Sequence, residues 1–131
     1  KFEIILCYDT DVFTLAKKPP INWDEVIADL KSKGAKKVKQ VLAKKSIEDW
    51  FLYDLDGVLK YLRLPKKTKV TGDNGVVKLQ KLFNKANKTY IKGQKCQGFI
   101  NTLDVEKIAC NICDDIHYVC IAVGVKCVTK K

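Results

Sequence analysis

The 131-residue chain contains no methionine and a single arginine, Arg63, and none of its apolar runs approaches the roughly 18 residues that a membrane-spanning helix requires. The short runs exclude a helical membrane protein. The single arginine excludes base-specific duplex recognition of the usual kind, because bidentate reading of guanine rests on guanidinium groups. No signal peptide, transit peptide or lipidation site is visible ahead of the first apolar segment, Phe2-Glu3-Ile4-Ile5-Leu6-Cys7-Tyr8, and none is expected. The expectation is a cytoplasmic protein, and an opening inside a strand is what a chain that has lost its natural start would show. Internal repeats and low-complexity tracts are also missing.

Hydrophobic residues make up 47% of the chain and charged residues 31%, a composition that can fold and dissolve. One domain is expected over residues 1–131. Lys and Arg total 25 against 15 Asp and Glu, a net charge of +10 carried almost wholly by lysine. Lysine is a flexible point charge that suits phosphates without reading bases, so a nucleic-acid backbone is the expected partner.

Six cysteines, Cys7, Cys96, Cys110, Cys113, Cys120 and Cys127, admit either disulfides or thiols. The supply of aliphatic residues makes staples unnecessary, and reduced thiols in the cytoplasm are the expectation. On one helix Cys110, Cys113 and His117 would point the same way, a weak signal for metal against partly buried thiols.

Residues 2–8 read as a buried strand ending at Asp9-Thr10-Asp11. Asn22 with Glu25 has capping-box spacing, and Trp23, Val26, Ile27 and Leu30 form a helical stripe closed by Gly34. Residues 38–43 form a second strand candidate, so the order predicts a parallel βαβ unit whose carboxyl edge gathers Asp9, Asp11 and residues 46–49. Ser46 is the expected N-cap of a helix over 47–53 that turns Ile47, Trp50, Phe51 and Leu55 inward. A further helix ends before Pro65, residues 66–74 read as loop, and residues 76–87 read as a helix with Val76, Leu79, Leu82, Phe83 and Ala86 inward. A last helix is expected from Asp104 to about Val123.

Lys78, Lys81, Lys85 and Lys88 recur at i, i+3, i+7 and i+10 and form one stripe on the 76–87 helix. Residues 66–95 hold nine lysines and one acid, Asp73. Like charges at this spacing destabilise a free helix, which an anionic ligand would relieve. These four lysines are the candidate nucleic-acid contacts.

The string Tyr53-Asp54-Leu55-Asp56-Gly57-Val58 is similar to the first motif of the haloacid-dehalogenase-like phosphatases, which implies Asp54 as nucleophile and Asp56 as acid. That motif ends a strand of a large doubly wound sheet, whereas residues 46–53 pattern as helix. Asp9-Thr10-Asp11 followed by Ser46-Ile47-Glu48-Asp49-Trp50 makes a sharper combination. Over residues 2–64 it resembles the TOPRIM-like domains of overcoming-lysogenization-defect nucleases and related phage-defence proteins.

The resemblance implies Mg²⁺ or Mn²⁺ held by Asp9, Asp11, Ser46 and Glu48, with Asp9, Asp11 and Glu48 as catalytic residues for phosphodiester cleavage. One departure is visible: the family's fold begins with an earlier strand and a glutamate turn, and Glu3 lies inside a strand instead. The expected architecture is α/β, with a small, mainly parallel, TOPRIM-like sheet and flanking helices over 1–64 and a helical, lysine-rich extension over 65–131. The expected function is metal-dependent cleavage or binding of nucleic acid. The alternative is a non-enzymatic phage or mobile-element protein that binds nucleic acid or a protein partner.

Overall fold

The computed structural model of the chain describes residues 1–9, 21–43 and 45–126. It is a mixed α/β structure whose chain clusters into two compact units, Lys1–Lys44 with Cys113–Val128, and a second formed chiefly by Lys45–Ile112. The divisions fall at residues 44/45 and 112/113.

In the first unit, β1 (Phe2–Asp9), helix α1 (Trp23–Ser32) and β2 (Ala35–Ala43) follow in order, and β1 pairs β2 in parallel. The register runs from Ile4 opposite Val38 to Asp9 opposite Ala43, with an irregularity between Phe2 and Glu3. This is the parallel strand–helix–strand order expected from the alternation of patterns. The Asn22 side chain caps α1 by accepting the Glu25 N–H at 3.4 Å, and Gly34 turns the chain at φ 107° where a side chain would be strained. Helix α7 (Cys113–Ala122), kinked at Ile116, packs on β2, and Tyr8 stacks on Trp23 at 4.0 Å between ring centres. This unit buries little: Ala35, Val41, Cys113 and Cys120 are its fully covered apolar side chains among the described residues.

The second unit holds the larger core. Helix α2 (Ile47–Phe51) runs into a 3-10 turn (Leu52–Asp54) and then α3 (Leu55–Leu62). These are followed by α4 (Gly75–Lys85), the short α5 (Gln97–Ile100) and α6 (Val105–Asn111). Phe99 is the hub of the packing. Phe51, Tyr61 and Phe83 surround it at 5.4, 5.2 and 5.5 Å between centres, and Tyr90 meets Phe83 edge-on at 5.3 Å. Edge-to-face pairs of this kind add about 0.5–1.5 kcal/mol each beyond area burial, and they tie four segments to one point.

Three sequence expectations change here. Residues 2–8, read as a buried strand, form β1 with no buried side chain among those described, and Phe2 is 48% exposed. The long C-terminal helix is broken at Ile112, which leaves helical geometry at ψ 16° and separates α6 from α7. No glycine or proline marks the break, and the apolar periodicity runs straight through it. Ile47, expected to face inward, is 53% exposed, because the short α2 turns only Glu48 and Phe51 into the core. No helix among the described residues is long and apolar enough to cross a membrane.

Candidate nucleic-acid interface

Helix α4 owes its position to its two ends and its inner face. Asn74 caps it by accepting the Val77 N–H at 3.0 Å. Gly75 lies so close to α2 that a Cβ there would run into the backbone and carboxylate of Asp49, so only glycine lets the helix start at that spot. Leu79, Leu82 and Phe83 are buried, which leaves Gln80, Lys81, Asn84 and Lys85 exposed and Lys78 half-buried on the outer face.

At the far end Asn87 takes a left-handed conformation, φ 56°, and the Lys88 N–H returns to the Phe83 carbonyl at 2.9 Å. That closure ends the helix before Lys88, so the expected four-lysine stripe is a three-lysine stripe. The Lys88 ammonium instead lies over the Tyr61 ring, 4.5 Å from its centre. The Lys85 ammonium donates to the Lys69 carbonyl at 2.8 Å and ties the lysine-rich segment after Pro65 to the helix. Lys78 and Lys81 have no such intramolecular partner among the described residues.

The acidic motifs meet different fates. Asp9 closes β1 at its carboxyl end; its side chain and the whole of Asp11 lie outside the described residues. Ser46 is an N-cap: its hydroxyl donates to the Asp49 carboxylate at 2.9 Å and accepts the Asp49 N–H at 3.3 Å. Glu48 is 1% exposed and one of its oxygens accepts the Tyr90 hydroxyl at 2.9 Å. Among the described residues its other oxygen has no hydrogen-bond partner, and neither has the buried indole N–H of Trp50. The Tyr90 phenol is held above the usual tyrosine range, first by burial, then by its hydrogen bond to Glu48 and by the negative charge there.

A divalent ion needs several oxygen donors converging on one point. Among the described residues no group of three or more His, Cys, Asp or Glu side chains is arranged to hold one. Ser46 is engaged in a cap and Glu48 in a hydrogen bond with Tyr90. The cysteine set fails separately. Cys113 is disulfide-bonded, so its sulfur is no metal donor and the expectation of six thiols does not hold for it, whereas Cys7, Cys96, Cys110 and Cys120 are free. The break at Ile112 also removes the single helix on which Cys110, Cys113 and His117 would have aligned.

The phosphatase-like string has a structural role. Asp54 ends a 3-10 turn that continues α2, whereas the family motif it resembles ends a strand. It is 5% exposed; one carboxylate oxygen accepts the Asp104 N–H at 2.8 Å and the other pairs with the Lys107 ammonium at 3.4 Å. A Cβ on Gly57 would collide with that carboxylate. A carboxylate so occupied latches α6 to the 3-10 turn, and it lines a cleft of about 530 Å³ together with Asp56, Lys60, Lys66 and Asp104. Only the spacing of Asp54 from Asp104 and Lys107, fifty residues downstream, separates latch from nucleophile, and that spacing carries no pattern in the sequence.

Comparison of the chain with protein-family models, curated proteins and solved structures finds no match.

Proposed function

We propose that the chain is a non-enzymatic nucleic-acid-binding module that holds the phosphate backbone on the lysine face of α4. The observation that supports this reading is the segregation of charge along the sequence of the second unit, with α4 itself free of acidic side chains. Residues 57–103 carry eleven cations and one acid, Asp73, while Glu48, Asp49, Asp54, Asp56, Asp104 and Glu106 flank them in sequence. Of these acids Glu48 and Asp54 are buried. A face of this sign, made of flexible ammonium groups, attracts a polyanion through counterion release and has little means of reading bases.

A second reading, Mg²⁺- or Mn²⁺-dependent phosphodiester cleavage by Asp9, Asp11, Ser46 and Glu48, draws on one observation. Asp9 stands at the carboxyl end of a parallel strand pair, the end where α/β sheets gather their ligands. The TOPRIM-like resemblance belongs with that reading.

The deciding experiment incubates the chain and its Asp9→Ala variant with labelled DNA and RNA in Mg²⁺, in Mn²⁺ and in chelator. Salt-sensitive binding that is indifferent to metal and to Asp9, with no cleavage, is the expected result. Cleavage that needs both the metal and Asp9 would transfer the conclusion to the second reading, and absence of binding would overturn the first.

A further inference from the structure

The composition of the basic face carries the proposed function one step further, to the form of the nucleic acid. Proteins that hold single strands do so by combining cations with aromatic side chains on which successive bases stack, at about 1–3 kcal/mol per base. The second unit is rich in aromatics, but it has spent them on its interior. Phe51, Phe83, Tyr90 and Phe99 are buried, and Trp50, Tyr53 and Tyr61 are half-buried. Tyr61, the aromatic nearest in kind to a stacking platform, packs against Phe83 and Phe99 on its inner side and is roofed by the Lys88 ammonium. What α4 presents is Lys78, Gln80, Lys81, Asn84 and Lys85, a row of ammonium and amide groups without an aromatic ring or a carboxylate.

From this we infer that the face binds double-stranded nucleic acid through its backbone, without sequence preference; the inference rests on the nucleic-acid reading above. A duplex presents one negative charge per about 1.7 Å of its axis, about twice the density of one strand, and it releases more counterion per phosphate neutralised. A single strand recovers that deficit only by stacking its bases, and α4 offers them nothing to stack on. Sequence preference is not expected because the sole arginine, Arg63, stands at the end of α3 and not on α4, so the α4 face holds no guanidinium to read guanine.

The test is fluorescence anisotropy of the full chain with two unrelated mixed-sequence duplexes of about 20 base pairs and with an unstructured oligothymidine of the same length, at about 100 mM salt. Both duplexes are expected to bind with similar affinity and at least about tenfold more tightly than the single strand. A companion variant, Asn84→Tyr, places a ring on the exposed face and is expected to raise oligothymidine affinity by about fivefold or more while changing duplex affinity little. Oligothymidine binding as tight as the duplexes, or a marked preference between the duplexes, would overturn the inference and leave the nucleic-acid reading standing. Failure of every probe to bind, even at low salt, would overturn both.

Discussion

Replacing Lys78 and Lys81 together by glutamine separates an anion-binding stripe from a solvated one. The two side chains lie on one face of α4, about 4.5 Å apart along the helix axis, and neither has an intramolecular partner among the described residues. If each neutralises one duplex phosphate, removing both lessens the slope of log affinity against log salt by about 1.8. Between about 50 and 200 mM salt, the parent's affinity should then fall by about twelvefold more than the variant's.

The folded chain supplies a control of opposite sign. Lys78 and Lys81 are like charges at i and i+3, and Lys81 repels Lys85 at i+4, so the substitution relieves repulsion on α4 by a few tenths of a kcal/mol, about 0.2–0.5 per pair. The variant should melt at or slightly above the parent while binding more weakly. Anisotropy titrations at three salt concentrations and a thermal melt by circular dichroism measure both. An unchanged salt slope in a folded variant would refute the assignment of this stripe to phosphate.

Two further outcomes follow from the buried acids. Asp54→Ala removes the acceptor of the Asp104 N–H and the partner of Lys107, at about 1.5–3 kcal/mol in a urea melt. A variant as stable as the parent that had lost phosphomonoesterase turnover would instead restore Asp54 as a nucleophile. Tyr90 keeps its proton more tightly folded than unfolded, so its contribution to stability is complete below the unfolded value of about 10 and is lost as pH rises above it, with a slope of up to about 1.4 kcal/mol per pH unit. Phenolate absorbance should show a late-ionising phase that Tyr90→Phe abolishes; a titration whose late end that substitution leaves unchanged would refute it.

Much of the local structure was legible because its signals act over three or four residues. Asn22 and Ser46 cap the helices that follow them through i to i+3 bonds, as their spacing predicts, and β1 and β2 show their patterns in the residues they contain. The break at Ile112 was not legible, because apolar residues at helical spacing serve a continuous helix and two helices equally well. The end of the lysine stripe was half legible. Asn87 is a residue type that tolerates the left-handed closure, but only its φ of 56° takes Lys88 off the helix.

The amino-acid sequence by itself determined that the chain is basic through lysine, that a strand, a helix and a strand open it, and that one helix carries its lysines on the face opposite its leucines. Period and charge are properties of neighbouring residues, and no distant contact alters them. The tertiary structure decided which partners the described carboxylates of the second unit meet. Glu48 meets Tyr90 from 42 residues away and Asp54 meets the Asp104 N–H from 50 residues away. A carboxylate buried against one donor and a carboxylate open to a metal or a substrate have the same sequence, and only the partners that folding brings to them separate a latch from a catalyst.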